Sequence, residues 1–513
     1  MRSLLLGVVV LTASLGWADE AALRAVGDGV CAVDKVTRLA EGVTAVDFTL
    51  RPERESEIAC RIELPMEKAW NGELWGVGND SQGGVVPLIT AYAKTGCAVV
   101  TTDLGTRRYE KGDLRGRPWP EAVFRDYSWR ATHLMTVYAK RFVKAQYGVA
   151  QKHAYFRGGS CGGRQGLSEA MRFPEDYDGI IAAIPAAFEV VANAQALNRY
   201  RQTHDATGRA LFTTNQLRLL ADAPIEYMKD RDVAPYAGSV LSNPFFSEED
   251  VDGVLRLVAA KDPALADADL QKRMKGIFLG AKDAAGRTLC HGMLPGVYHG
   301  FPRGGNFRSK GLCLSALLRN GDKYSVYPSW EEFEQKAVVN GAAINAGSTD
   351  LSAFVRRGGK LIVTCGWEDQ TTPAPETVAW YENLAEDNGG YGKVQDYCRL
   401  FPLPGTAHGG GKGRITTGGA AVGWPQHDLL RRWVTKGVAP ETFPLKWPAK
   451  KLTLPIPPYP LQCYLGTDGQ WKTRRYPENM VRHPDRRLYR TDLSTGEGTD
   501  GDPAIHAFVG SSD

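Results

Sequence analysis

The sequence predicts an α/β fold, a mainly parallel sheet with helices on both faces, interrupted by one large insertion. Three observations carry that expectation. Short, continuous apolar runs such as Gly96-Cys97-Ala98-Val99-Val100 and Lys360-Leu361-Ile362-Val363-Thr364-Cys365 have the length of strands buried on both faces. Stretches of helical period alternate with them, as from Trp129 to Tyr147, which Gly148 stops. Between Pro185 and about Leu351 the alternation lapses into short helical pieces and a loop-rich stretch with many aromatics.

In chain order, Arg2 precedes the apolar run Leu4 to Leu15, and Gly16-Trp17-Ala18 has small residues where a signal peptidase reads. Residues 1–18 are therefore expected to be a secretory signal peptide, giving a secreted or periplasmic protein. The run is too short to span a bilayer comfortably. Residues 19–187 are expected to form the first part of the core. Within them Ala21 to Arg61 shows no clear period. Trp70 to Asp80 reads as a strand entering a glycine-rich loop, and Cys97 to Asp103 as a buried strand. His153 to Arg157 is a short strand, Gly163 to Arg172 a helix, and Tyr177 to Pro185 the next strand. Residues 188–350 form the expected lid insertion, with helices over Thr214–Met228 and Glu248–Ala259. Inserted after a core strand, it should sit over the sheet's carboxyl edge, where open α/β sheets bind ligands. Residues 351–480 complete the core with strands at Lys360–Cys365 and Leu400–Pro402 and a helix over Asp428–Lys436; 481–513 are a polar tail.

The composition is that of an ordinary soluble globular chain: 43% hydrophobic and 23% charged residues, with a net charge of only +4 over 513 residues. No nucleic-acid or membrane partner is expected from it, and it says nothing of oligomeric state. Nine cysteines in an exported chain point to disulfides. Cys31 with Cys60 is the expected pair and Cys290 with Cys313 a second candidate, while Cys97 reads as a buried free thiol. No Cys/His spacing suits zinc, so no metal and no cofactor is expected.

Gly158-Gly159-Ser160-Cys161-Gly162 contains Gly-x-Ser-x-Gly between the strand and the helix just described. That context makes a nucleophile elbow, with the serine on a sharp turn at a helix N-terminus, and an α/β-hydrolase core. A serine hydroxyl needs a base, and the base an orienting carboxylate, in the chain order Ser, Asp or Glu, His. Gly366-Trp367-Glu368-Asp369-Gln370 leaves one late strand and Ala407-His408-Gly409-Gly410 follows another. Ser160, Asp369 and His408 are the expected triad, with Glu368 as the reserve acid. His427, near a helix start, is expected at the surface; His291 and His299 fall in the insertion, out of chain order for a base. One oxyanion donor should be the Cys161 backbone N–H, and the second should come from Gly78, Asn79 or Asp80. Phe246, Tyr324, Tyr327 and Trp330 of the insertion are candidates to stack on a substrate ring.

With these residues assembled, the chain resembles the tannase/feruloyl esterase family of secreted serine esterases, from about Cys60 to about Pro460. The markers are Trp70-Asn71-Gly72, Gly76-x-Gly78-Asn79, Ala98-Val99-Val100-Thr101-Thr102-Asp103-Leu104-Gly105, Gly162-Gly163-Arg164-Gln165-Gly166-Leu167 and Arg172-Phe173-Pro174-Glu175-Asp176-Tyr177-Asp178-Gly179-Ile180. Gly366-Trp367-x-Asp369, Arg399-Leu400-Phe401-x-x-Pro404-Gly405-x-x-His408 and Trp433-Val434-x-x-Gly437-x-Ala439-Pro440 follow in the same order. The resemblance implies the same triad and a substrate that is an ester of a plant-type aromatic acid, feruloyl or galloyl, free or linked to polysaccharide. It also implies two departures. The family's cysteine pair flanking serine and histidine is replaced by Gly159 and Gly409, with Cys161 and Cys365 read as buried thiols and a substitute tether between them as the alternative. The calcium loop of many members is replaced by Ala221 to Asp232, which lacks alternating oxygen ligands. The competing expectation is a non-catalytic binding protein that kept the scaffold.

Overall fold

The structure, a computed structural model, describes residues 19–229, 240–241, 243–283, 285–294, 297, 329–410, 415, 424–477 and 484–493. The expected signal peptide (1–18), His299, Cys313, Tyr324 and Tyr327 lie outside the described residues, as do Asp230 to Asp232 of the replaced calcium loop.

The strands β1 (Cys31–Leu39), β2 (Val43–Leu50), β3 (Ile58–Pro65), β4 (Glu73–Val77), β5 (Ala98–Thr102), β6 (His153–Gly159), β7 (Gly179–Ala183), β8 (Lys360–Gly366) and β9 (Cys398–Leu403) form one sheet. Their order is β1-β2-β3-β5-β4-β6-β7-β8-β9. From β5 to β9 every pairing is parallel; β1, β2 and β3 join antiparallel at one edge. This is the α/β-hydrolase fold, with a mixed central sheet, flanking helices and helical insertions resembling a lid.

The antiparallel edge is where the sequence was least informative. β2 and β3 carry charges that break the apolar pattern, and the sheet pairs them. Asp47 lies directly opposite Arg61, whose guanidinium reaches the Asp47 carboxylate at 2.8 Å and that of Glu63 at 2.9 Å. Such cross-strand pairing lets ionic residues occupy a strand.

The same edge overturns the expected Cys31–Cys60 disulfide, for both thiols are free. Cys31 sits on β1 and Cys60 on β3, with β2 between them. Two strand spacings are about 9.6 Å, beyond the roughly 7 Å limit for a bridge. Cys290 is free as well, which removes the Cys290–Cys313 candidate; the expectation of a free, buried Cys97 agrees with the structure.

Alternation along the strands divides the core between the two faces of the sheet. Phe156, Leu361 and Val363 pack on one face with Phe48, Tyr138 and Phe142. Tyr155 and Ile362 pack on the other with Trp75, Phe401, Leu430 and Trp433. Helix α1 (Ala131–Tyr147) covers the first face and ends where expected, at Gly148 with φ 72° and its N–H donated to the Lys144 carbonyl. It is preceded by a π-helical turn, Asp126–Arg130, which the sequence reading ran together with the helix. Helix α2 (Cys161–Arg172) begins two residues before its expected start and is buried along nearly its whole length.

After β7 come α3 (Glu189–Thr203), α4 (Thr214–Met228), α5 (Glu248–Lys261) and α6 (Ala268–Leu279). They own an apolar cluster that includes Leu217, Leu220, Val251, Val254, Val258, Met274 and Ile277. Capping boxes, Thr213 with Gln216 and Ser247 with Asp250, fix the starts of α4 and α5. The core resumes with β8, α7 (Ala374–Asp387), β9 and α8 (Trp424–Lys436). Of the polar tail, residues 484–493 lie on the core: Leu488 and Tyr489 are buried, and Arg172 donates to the Asp492 carbonyl at 2.6 Å. No described helix is long and apolar enough to cross a membrane.

Candidate active site

Ser160 stands between β6 and α2 with φ 57° and ψ −120°, a conformation L-residues seldom adopt. Its neighbours hold it there. The Ser160 N–H donates to the Ala183 carbonyl at 3.0 Å, and the Ser160 carbonyl accepts from Ala186 N at 2.9 Å and Arg164 N at 3.1 Å. The turn closes so tightly that a Cβ on Gly158 would lie 2.4 Å from the Gly162 carbonyl. Glycine is required at that crossing.

The loops after β8 and β9 bring the other two expected residues to the serine. His408 Nε2 and Ser160 Oγ are 3.0 Å apart, and His408 Nδ1 and Asp369 Oδ2 are 2.8 Å apart. Asp369 is 3% exposed, and its carboxylate is filled by donors: Oδ1 accepts from Thr371 N at 2.7 Å and Thr372 N at 2.8 Å, Oδ2 from Thr372 Oγ1 at 2.8 Å. Such bonds fix the direction in which the carboxylate faces the imidazole. The reserve acid, Glu368, is buried and its N–H goes to the Thr406 carbonyl; the contact with the imidazole is made by Asp369. Thr372 Oγ1 also lies 3.3 Å from His408 Nδ1, a contact that no local motif announces.

Around the turn, the glycine-rich loop after β4 meets α2 at Gly78, where a Cβ would lie 2.6 Å from Gly162 Cα. Its amides are not equivalent. The Gly78 N–H is occupied by the Arg157 carbonyl at 2.9 Å, so Gly78 is withdrawn from the candidate oxyanion donors. Asn79 N donates to Gln165 Oε1 at 2.8 Å, while its side-chain amide donates to the Thr102 and Val85 carbonyls. Asp80 N is held only by the side-chain oxygen of the preceding Asn79, at 2.8 Å, and Asp80 is exposed. Arg164, fully buried on α2, anchors the other side through the Ser128 and Tyr127 carbonyls.

Burial pushes the Cys161 and Cys365 thiols up, so neither competes with serine as a nucleophile. Both are free. Gly409 has φ 72°, which any residue with a Cβ would adopt only under strain.

Beside Asp369 lies a narrow cleft open to solvent. Met293, Leu294, Val297 and Trp367 give it apolar walls, and Gln195 and Arg199 polar ones. Neither described aromatic candidate lines it. Phe246 packs on the cluster of the insertion, and Trp330 against Phe333 with the Arg201 guanidinium over its ring. His427, expected at the surface, is 2% exposed with its ring 4.5 Å from that of Trp75; burial and the charges of Arg157 and Arg431 hold its pKa down at about 3.

Among the described residues one group could hold a metal ion, His133, Glu169 and Asp176. Its charges are already answered from within. Asp176 accepts from His133 Nδ1 at 2.7 Å and from Lys140 at 3.1 Å, while burial, then the Asp176 charge, push the Glu169 carboxyl well up.

Comparison with known proteins gives a consistent result. The profile of the family described as "Tannase and feruloyl esterase" matches residues 43–234 and 306–493. The chain is similar to a "Probable feruloyl esterase B-2" of Aspergillus fumigatus, 25% identical over 422 residues that cover 76% of each chain. Its fold is similar to the crystal structure of feruloyl esterase B from Aspergillus oryzae (TM-score 0.72, 20% identity, 87% of this chain and 97% of that one). It is also similar to tannin acyl hydrolase from Aspergillus niger (TM-score 0.70, 15% identity, 93% and 97%).

Proposed function

The chain belongs to the tannase and feruloyl esterase family, as an esterase-type hydrolase on the α/β-hydrolase fold, and on that premise we propose that it is an exported serine carboxylesterase for aromatic-acid esters. The observation that carries the reading is the unbroken line from Ser160 Oγ through both His408 nitrogens to Asp369. With Nδ1–H donated to Asp369, Nε2 is left to accept the serine proton. Ser160 Oγ attacks the ester carbonyl, His408 takes the proton and returns it to the leaving alcohol, and water then releases the acid from the acyl-enzyme. Negative charge on the carbonyl oxygen is received by the Cys161 N–H at the start of α2 and by the Asp80 N–H, which exchanges its bond to the Asn79 side-chain oxygen for the oxyanion.

Feruloyl or galloyl esters, free or polysaccharide-linked, are the proposed substrates. The printed names of the similar proteins support that class. Export rests on the apolar N-terminal run read in the sequence. The test is a hydrolysis screen over methyl ferulate, methyl gallate and short p-nitrophenyl esters, with a fluorophosphonate probe alongside. We expect turnover of an aromatic methyl ester and labelling at Ser160. Folded protein that hydrolyses none of them and takes no label is the result that supports a binding protein instead.

A further inference from the structure

Behind the elbow, three elements that have no reason to touch in sequence meet at one hydroxyl. The π-helical turn Asp126–Arg130 widens the backbone just before α1 and carries Tyr127, 1% exposed. Its O–H donates to the Ser81 carbonyl at 3.1 Å, in the glycine-rich loop one residue beyond Asp80. The Cys161 thiol donates to the Tyr127 oxygen at 3.7 Å, and Cys161 Sγ accepts from Arg164 Nη2 at 3.3 Å. The Arg164 guanidinium lies over the Tyr127 ring, 4.4 Å from its centroid, and donates back to the Tyr127 carbonyl. The line Arg164–Cys161–Tyr127–Ser81 therefore runs from the residue after the nucleophile to the loop opposite it. Ser81 itself has φ 52°, so its carbonyl is held in a conformation it would not choose.

We propose that Tyr127 is a positioning residue for the oxyanion hole: its hydroxyl sets the distance between the Cys161 and Asp80 amides that receive the developing oxyanion. The inference rests on the serine esterase reading above and adds to it a side chain that touches neither substrate nor triad. Each of the two amides belongs to a different element, α2 and the loop after β4, and the Tyr127 hydroxyl joins the Cys161 side chain of the one to the Ser81 carbonyl of the other. π-helical turns recur at functional sites because they redirect one side chain out of helical register, and here the redirected side chain is the bridging one.

The test is Tyr127→Phe, which keeps the ring beneath Arg164 and removes only the hydroxyl. On the best ester of the screen kcat should fall about 10- to 100-fold with KM within about 2-fold, since small misplacement of such groups costs that much. An aromatic trifluoromethyl ketone, which takes the serine oxygen to form a tetrahedral oxyanion, should lose affinity by the same factor. The product acid should bind as before. A purely structural tyrosine would weaken both ligands alike and lower Tm with them. Cys161→Ala interrupts the line from the other end, and the double variant should be little worse than either single one, because groups in one network are not additive. Wild-type kcat in Tyr127→Phe overturns the proposal, as do effects of the two substitutions that simply multiply. Should Tyr127→Phe not fold, an unchanged ketone affinity in Cys161→Ala overturns it instead. Retained activity in Ser160→Ala would count against the esterase mechanism and not against this inference.

Discussion

At Ser160 the backbone conformation costs on the order of 1–3 kcal/mol, and the bonds to Ala183, Ala186 and Arg164 hold it in place. That cost separates chemistry from stability at a single position. Ser160→Ala removes the nucleophile and keeps the Cβ, so hydrolysis should drop by roughly four or more orders of magnitude with the fold intact. Ser160→Gly removes the nucleophile and the strain together. Glycine loses about 0.5–1 kcal/mol of chain entropy, less than the upper part of the strain range, so Ser160→Gly should melt above Ser160→Ala. Thermal scans of the two inactive variants decide it; a lower Tm for the glycine variant would mean that the elbow stores little strain.

Helix α2 ties the nucleophile to the buried ionic group at its far end. Glu169 is raised above its ordinary value of 4.5, first by burial and then by the Asp176 charge, while Asp176 is itself held low by His133 and Lys140. A group whose folded pKa lies above its unfolded one contributes stability that is fully present below the unfolded value. That contribution is lost as pH rises through the folded value. The loss therefore sets in above about 4.5, where the unfolded chain releases the proton that burial and the Asp176 charge keep on Glu169 in the folded protein. Glu169→Gln keeps a neutral donor of the same shape at every pH, so its Tm should decline less than that of the wild type toward alkaline pH. Parallel Tm curves would show that the Glu169 pKa is the same in the folded and unfolded protein. Nothing local in the sequence announces this group, because its partners come from α1 and the loop after α2. The antiparallel edge was illegible for the same reason: Asp47 and Arg61 look like loop residues until the pairing of β2 with β3 sets them opposite each other. By contrast, the elbow, the strands carrying Asp369 and His408, and the lid helices α4 and α5 were readable, since each is specified within about fifteen residues of chain. Local glycine chemistry and capping set them, whereas which loop amide remains available to an oxyanion depends on packing.

At the scale of the whole molecule, the cysteines show what a large core permits. A chain of this length buries most of the surface that unfolding would expose, so cross-links are not needed to hold it together. The sheet also keeps its cysteines apart. Cys365 on β8 faces Pro402 and Cys398 on β9 faces Leu361, so the two thiols on neighbouring strands are offset by four residues, about 13 Å. Burial pushes Cys31 and Cys290 up to about 12 and raises Cys60, Cys365 and Cys398 as well. Such thiols are poor nucleophiles and slow to oxidise even in an oxidising compartment. All eight described cysteines are free. Titration with a thiol reagent in denaturant and without reductant should therefore count all nine cysteines of the sequence. The native protein should react at only a small fraction of them over the same time, and excess dithiothreitol should change neither Tm nor kcat. A count short by two in denaturant, restored by reductant, would mean that a disulfide forms in the mature protein. The His408 loop, with glycine at 409 in place of a cysteine, would then be the first segment to map by mass spectrometry.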